Sequence, residues 1–239
     1  MAEKIVRPIL TYADEAHHVP ADTYQKVMKH FTPKLWLGMT ATPDKRDDNI
    51  EGRNVYELFD HQIAYEIRLQ QAMEENLLCP FHYFGITDLA IIGDDEEASR
   101  DFSVLTSDER VKHIINEADY YGYSGDKVKG LIFCSSIKET EELSEKFNHM
   151  INPSTGQKFR TIALNGSASE QERQNAFERL AMNKEDATAD HEPLDYIFSV
   201  EILNEGVDIV EVNQVIMLRP TQSPIVFIQQ LGRGLRKAY

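Results

Sequence analysis

The sequence predicts an α/β fold, a parallel β-sheet with helices on both faces. Three observations carry this. Short runs such as Leu131-Ile132-Phe133-Cys134 are apolar throughout rather than alternating, which is how strands buried on both faces read. Such runs alternate with segments of helical periodicity, the order of elements that parallel sheets require. Two helical segments open with Ser-x-x-Glu, at Ser136/Glu139 and Ser169/Glu172, the pattern that satisfies free amides at a helix start.

At 239 residues one or two domains are expected. The chain carries 25 Lys and Arg against 40 Asp and Glu, a formal charge of −15, with 41% hydrophobic and 27% charged residues. This composition excludes fibrous, collagen-like and wholly disordered chains. The acidic balance argues against coating nucleic acid by bulk electrostatics but leaves a local basic groove open. Cys79 and Cys134 cannot build a disulfide framework, and both sit in apolar runs, so they read as buried reduced thiols of a cytoplasmic protein. No run approaches the ~18 apolar residues of a membrane span. Arg7 and Pro8 interrupt the only apolar stretch near the N-terminus, which is not a signal-peptide layout.

Taken in order, residues 5–13 read as a strand, 21–31 as a helix and 35–39 as a second strand, with Trp36 expected in a core. Residues 44–53 read as a charged loop, 65–77 as a helix ending near Cys79-Pro80, and 81–86 as a strand. The acidic run Gly93 to Glu97 lies in a segment, 88–107, that reads as a solvated linker. Val111, Ile114, Ile115 and Ala118 share one helical face. After the strand at 131–134, a helix opening at Ser136 turns Leu143, Phe147, Met150 and Ile151 inward. Tyr120-Tyr121-Gly122-Tyr123 reads as a loop packed between helix and strand rather than a base-stacking platform, since no basic residues interleave. Residues 161–164 form the next strand, followed by a helix with Phe177, Leu180 and Ala181 inward, a polar loop at 183–193, strands at 196–200 and 214–218, and a last helix at 225–236.

The candidate chemistry sits at strand ends, where parallel sheets bind ligands. Asp14-Glu15-Ala16-His17 follows the first strand directly. An aspartate there can hold Mg²⁺ through water, and the next glutamate can polarise an attacking water. His17-His18 could also be read as metal ligands, but no partner cluster has metal spacing. Thr40-Ala41-Thr42 closes the second strand, its hydroxyls able to bond neighbouring carboxylates. Glu205-Gly206-Val207-Asp208 offers a glycine that lets backbone approach a phosphate or sugar. Arg233 and Arg236, three apart on a helix, can aim two guanidinium forks at one polyphosphate.

Together and in this order, these motifs resemble the superfamily 2 helicases and translocases of the DEAH-containing group, close to the motor subunit of type III restriction enzymes. Asp14 to His17 resembles motif II, Thr40 to Thr42 motif III, Phe133-Cys134-Ser135-Ser136 motif IV, Glu205 to Asp208 motif V and Gln229 to Arg236 motif VI. Asn165-Gly166-Ser167 resembles the nucleic-acid-contacting loop that follows motif IV.

The resemblance implies a motor of two RecA-like lobes, of the P-loop NTPase fold, that hydrolyses ATP with Mg²⁺ between them and moves along nucleic acid, DNA in preference to RNA. It implies that Asp14 helps to hold Mg²⁺, that Glu15 activates water, and that Arg233 and Arg236 act as arginine fingers. The nucleotide-binding set is then Asp14, Glu15, His17, Gly206, Asp208, Gln229, Arg233 and Arg236. The same resemblance implies that Thr40 and Thr42 couple hydrolysis to lobe movement and that Ser135, Asn165, Gly166, Ser167 and Glu205 contact the strand. The sequence departs from the family in one respect: no G-x-x-x-x-G-K-[ST] occurs in it. Residues 1–78 therefore read as the carboxyl-side part of lobe 1, residues 79–239 as lobe 2, and the chain as a piece of a larger motor, inactive alone and prone to self-association through uncovered apolar surface. The rival expectation is a non-catalytic RecA-like module that docks nucleic acid or a protein partner.

Overall fold

The computed structural model describes residues 10–41, 54–87, 102–188, 191–200, 212–218 and 224–235. The chain divides into two compact units, Met1–Arg68 and Leu69–Tyr239. The division falls ten residues before the 78/79 boundary read from the motifs.

In the first unit, β1 (Leu10–Ala13) pairs in parallel with β2 (Leu35–Gly38), from Leu10 opposite Leu35 to Ala13 opposite Gly38. The crossover between them holds a 3₁₀ turn, Ala16–His18, and α1 (Asp22–His30). Gly38 is needed here because a Cβ would lie 2.7 Å from Phe59 Cζ and 3.0 Å from the Ala16 Cβ. Phe59 follows α2 (Val55–Leu58), so its ring presses on backbone that has no side chain to displace it. Trp36 is only half-buried. The apolar residues Leu10, Tyr12 and Leu35 are 49%, 65% and 61% exposed, so this two-stranded sheet does not complete a core among the described residues.

The second unit holds a four-stranded parallel sheet in the order β4-β5-β3-β6. Its strands are β3 (Gly130–Phe133), β4 (Thr161–Leu164), β5 (Tyr196–Ser199) and β6 (Gln214–Met217). The helices are α3 (Leu69–Glu74), α4 (Phe102–Leu105), α5 (Asp108–Tyr121), α6 (Ile137–His149), α7 (Glu170–Ala181) and α8 (Pro224–Gly232). Alternate residues of β3 separate two cores. Ile132 joins Val111, Ile114 and Ile115 of α5 and Leu143 and Phe147 of α6 on one face. Leu131 and Phe133 join Ala176 and Leu180 of α7 on the other. This is the doubly covered parallel sheet that the apolar strands predict.

The helix starts follow their sequence signals. Ser169 and Glu172 form a reciprocal capping box at α7. Ser136 caps α6 by accepting from the Glu139 amide, but the Glu139 carboxylate bonds Ser135 rather than Ser136. At the far end of α7, Lys127 Nζ donates to Met182 O and Leu194 O, and Lys129 Nζ donates to Ala181 O. Two ammonium groups thus cover the carbonyls at a helix C-terminus, where the dipole favours positive charge.

Several expectations need correction. Residues 81–86 form no strand; Phe84 stacks on Tyr121 at 4.1 Å and Tyr83 lies edge-on to Phe227 at 5.7 Å. Their aromatic side chains engage helices α5 and α8 instead of a sheet. The helix expected at 65–77 is confined to Leu69–Glu74, closed by Asn76 at φ 59 and a bond from the Leu77 amide to Ala72 O. That left-handed residue ends the helix as a glycine often does. Ile151 is 55% exposed, because α6 ends at His149 and Met150 turns extended. Tyr123 packs against the core, whereas Tyr120 is 81% exposed. The linker expected at 88–107 contains α4 at its end. Cys134 is buried, and Cys79 is partly exposed. The loop expected at 44–53 lies outside the described residues, as does the acidic run Gly93 to Glu97.

Candidate functional site

The first cluster forms where β1 ends. Asp14 is exposed, and its Oδ1 accepts from the Glu15 amide at 3.0 Å. Glu15 takes a left-handed conformation, φ 46 and ψ 51, uncommon for a residue with a Cβ. This bend sends the chain back over β2, where the Ala16 amide donates to Met39 O at 2.8 Å and the Met39 amide donates to Ala13 O at 2.9 Å. Within that frame His17 is 3% exposed. Its Nδ1 shares a hydrogen bond of 2.9 Å with Thr40 Oγ1 and lies 3.4 Å from Glu15 Oε2. The acidic turn and the Thr-Ala-Thr turn are therefore joined through one imidazole. Twenty-three positions separate His17 from Thr40, so only the pairing of β1 with β2 makes them neighbours. Thr42 lies outside the described residues.

Among the described residues no three His, Cys, Asp or Glu side chains gather as a metal cluster. Asp14 nevertheless suits Mg²⁺, a cation that keeps several waters and is bound through one or two carboxylates plus substrate phosphates. Its Oδ1 is taken by the Glu15 amide, which leaves Oδ2 as an acceptor for a metal-bound water.

The second cluster forms on the carboxyl edge of the four-stranded sheet. Because all strands run the same way, the segments leaving β3 and β4 emerge on one edge. They are separated by β5, two strand spacings or about 10 Å. Ser135 follows β3, and its amide donates to Glu139 Oε2 at 2.7 Å. Asn165 follows β4, and its Oδ1 accepts from the Ser167 amide at 3.0 Å and the Ser167 hydroxyl at 2.6 Å. This closes a tight turn whose middle residue, Gly166, is exposed and accepts from Arg173 through its carbonyl. Glu205, Gly206 and Asp208 lie outside the described residues.

In α8, Gln229 is half-buried, and Arg233, in the turn that follows, is 8% exposed. The chain then passes β6 closely: a Cβ on Gly234 would lie 3.1 Å from Val215 Cγ2. The Cys79 amide donates to Leu235 O at 2.9 Å. Arg236 lies outside the described residues, so only one of the two expected arginine fingers is described.

Sequence reasoning missed Arg110. Its guanidinium is 1% exposed and pairs at 2.9 Å with Glu139 Oε1, a carboxylate fully removed from solvent. The signal was present, because Arg110 lies four residues before Ile114 on the apolar face of α5. The two charges also act on Cys134: burial pushes its thiol well above the ordinary range, Glu139 adds to this and Arg110 opposes it.

The turns at Asp14, Thr40, Ser135 and Asn165 thus follow strand ends within two units of parallel α/β build. The model of the helicase conserved C-terminal domain matches residues 109–238. The chain belongs to this family. A second model, the type III restriction enzyme res subunit, matches residues 7–45, which contain the Asp14 and Thr40 turns. The helicase-family chain is 22% identical over 235 residues to IRC3 of Saccharomyces cerevisiae, assigned as an ATP-dependent helicase, covering 95% of this chain and 32% of that protein. Among solved structures it resembles a fragment assigned as the HsdR subunit of a type I restriction enzyme from Vibrio vulnificus YJ016. The TM-score is 0.69 at 21% identity, over 95% of this chain and 40% of the other. It also resembles the ATP-dependent type ISP restriction-modification enzyme LlaBIII bound to DNA. The TM-score is 0.58 at 17% identity, over 97% of this chain and 17% of that one. These likenesses establish the RecA-like fold. The chain spans less than half the length of the curated relatives it matches.

Proposed function

We propose that this chain supplies motifs II to VI of an ATP-dependent nucleic-acid helicase or translocase, DNA-directed, with the phosphate loop supplied from outside these 239 residues. The observation that carries the reading is the junction of His17 with Thr40 at 2.9 Å. It couples the turn that carries the carboxylates to the turn that carries the hydroxyls, as a motor needs if hydrolysis is to alter contacts elsewhere. The helicase family match and the DNA-bound state of LlaBIII support the same reading.

In this reading Asp14 would hold Mg²⁺ through water, and Glu15, kept beside His17, would orient and deprotonate the attacking water. When bound, Mg²⁺ neutralises the charge that develops on the transferred phosphoryl group. Gln229 on α8, Arg233 in the turn after it, and Arg236 would stabilise the same charge, with Gly206 and Asp208 completing the nucleotide contacts. Ser135, Asn165, Gly166, Ser167 and Glu205 would meet the nucleic-acid backbone. Such contacts position a strand without reading its sequence. The 239 residues hold no G-x-x-x-x-G-K-[ST], so the β- and γ-phosphates lack their usual backbone cradle and lysine. The chain by itself is expected not to turn ATP over.

The test is ATP hydrolysis, with and without single-stranded DNA, by a polypeptide in which a phosphate loop precedes these residues. DNA-stimulated turnover that collapses on Arg233→Ala, with the thermal transition retained, supports the motor. Absence of turnover together with DNA or partner binding favours the docking module and overturns the proposal.

A further inference from the structure

The Arg110–Glu139 pair is the most deeply buried ionic contact among the described residues, with side chains 1% and 0% exposed. Removing two charges from water costs more than their attraction generally returns, and apolar replacements of similar volume are often as stable. Stability alone is therefore a weak account of it. The geometry offers another.

Glu139 uses both oxygens: Oε1 receives the Arg110 guanidinium at 2.9 Å, and Oε2 receives the Ser135 amide at 2.7 Å. Arg110 Nη1 also donates to Leu105 O, and the Arg110 amide is capped by Ser107 Oγ at 3.2 Å. Glu139 is in turn fixed at the start of α6, where its amide donates to Ser136 Oγ at 3.2 Å. A rigid path therefore runs from the N-terminus of α5, through two buried charges, to the peptide that leaves β3. The Cys134 amide beside it is tied to β5 through Ser199 O at 2.8 Å. The next amide, that of Ser135, bonds the Glu139 carboxylate instead of a strand.

We infer that Glu139 is a positioning residue: seated by Arg110, its carboxyl oxygen sets the orientation of the Ser135 turn toward a nucleic-acid strand. The inference rests on the reading of Ser135 as a strand contact. Glu139 touches no strand itself. It presents the neighbouring hydroxyl and backbone in one arrangement, so that no ordering cost is paid when the strand binds.

The test separates positioning from stability with two variants of the 239-residue chain. Glu139→Gln keeps an oxygen for the Ser135 amide but leaves Arg110 without its counter-charge. Arg110→Met with Glu139→Leu removes both charges and the acceptor while filling the space. The measurements are thermal unfolding, hydrogen exchange of the Ser135 amide, and anisotropy of a labelled oligothymidine. Expected are a lower melting temperature for Glu139→Gln with DNA affinity within about threefold of the parent, and for the double variant a near-parental melting temperature, faster Ser135 exchange and roughly tenfold weaker binding, the loss of one hydrogen bond to a charged group. If the double variant binds DNA as tightly as the parent, the positioning role is overturned and the strand reading stands. If the parent chain does not bind the oligonucleotide, the strand reading fails and takes this role with it.

Discussion

Adding one methyl group at Gly130 tests how tightly the sheet of the second unit is packed. A Cβ built there lies 2.2 Å from both Cδ1 and Cε1 of Tyr196, on the neighbouring strand β5. This is more than an ångström inside ordinary contact, and the obstacle is the middle of a ring rather than a mobile tip. The ring cannot withdraw. Tyr196 is 3% exposed, and its hydroxyl donates to Gln214 Oε1 at 2.6 Å. Gln214 Nε2 donates in turn to Ala118 O at 2.8 Å and Gly122 O at 2.9 Å. Phe147 and Phe159 close the ring in, with centroids 6.0 and 5.9 Å away. Overpacking of such a site costs about 2–3 kcal/mol. For a chain of this size that lowers the melting temperature by roughly 4–12 °C. The assay is thermal unfolding followed by circular dichroism for Gly130→Ala, Tyr196→Leu and both together. With the ring gone the added methyl has room, so its cost in the Tyr196→Leu background should fall below about 1 kcal/mol, a coupling typical of residues in contact. A melting temperature for Gly130→Ala within about a degree of the parent, or an equal loss in both backgrounds, refutes the packing argument.

Three further outcomes follow from the structure. Burial pushes the Lys127 ammonium down to about 8 from 10.5; above pH 8 the folded chain has released a proton that the unfolded chain still holds, so stability rises from about pH 8 toward 10.5. The melting temperature of the parent minus that of Lys127→Met should therefore increase over this range, and a flat difference contradicts it. Thiol labelling of the native chain at pH 8 should modify Cys79 readily and Cys134 only after unfolding, since Cys134 is buried with its thiol raised; rapid labelling of both contradicts this. In a polypeptide that includes the phosphate loop, Thr40→Val should preserve ATP affinity while reducing DNA stimulation of turnover by about fivefold, because the imidazole loses a hydrogen-bond partner worth about 1 kcal/mol; unchanged stimulation removes the coupling role from His17 and Thr40.

The second unit was largely legible because its signals are local. Leu131 to Phe133 is apolar on both faces and is buried on both, and Ser169 with Glu172 closes the capping box its spacing foretells. The strand expected at 81–86 failed for an equally physical reason. Aromatic residues suit strands, but here they serve helices α5 and α8 (Phe84 on Tyr121, Tyr83 on Phe227), and nothing within six residues distinguishes the two uses. In the site, the Asp14 and Thr40 turns were visible as motifs. Arg110 was passed over because a charge on an apolar helical face announces a buried partner without saying which one.

The sequence by itself determined the strands and long helices of the second unit and the family, since periodicity, caps and motif order depend on residues close together along the chain. Only the tertiary structure decided that His17 meets Thr40, that Arg110 meets Glu139, and that Gly130 makes room for Tyr196. Each of these joins residues at least 23 positions apart. Such contacts are created by strand pairing and helix docking, which bring distant positions together at the scale of a single hydrogen bond or ring.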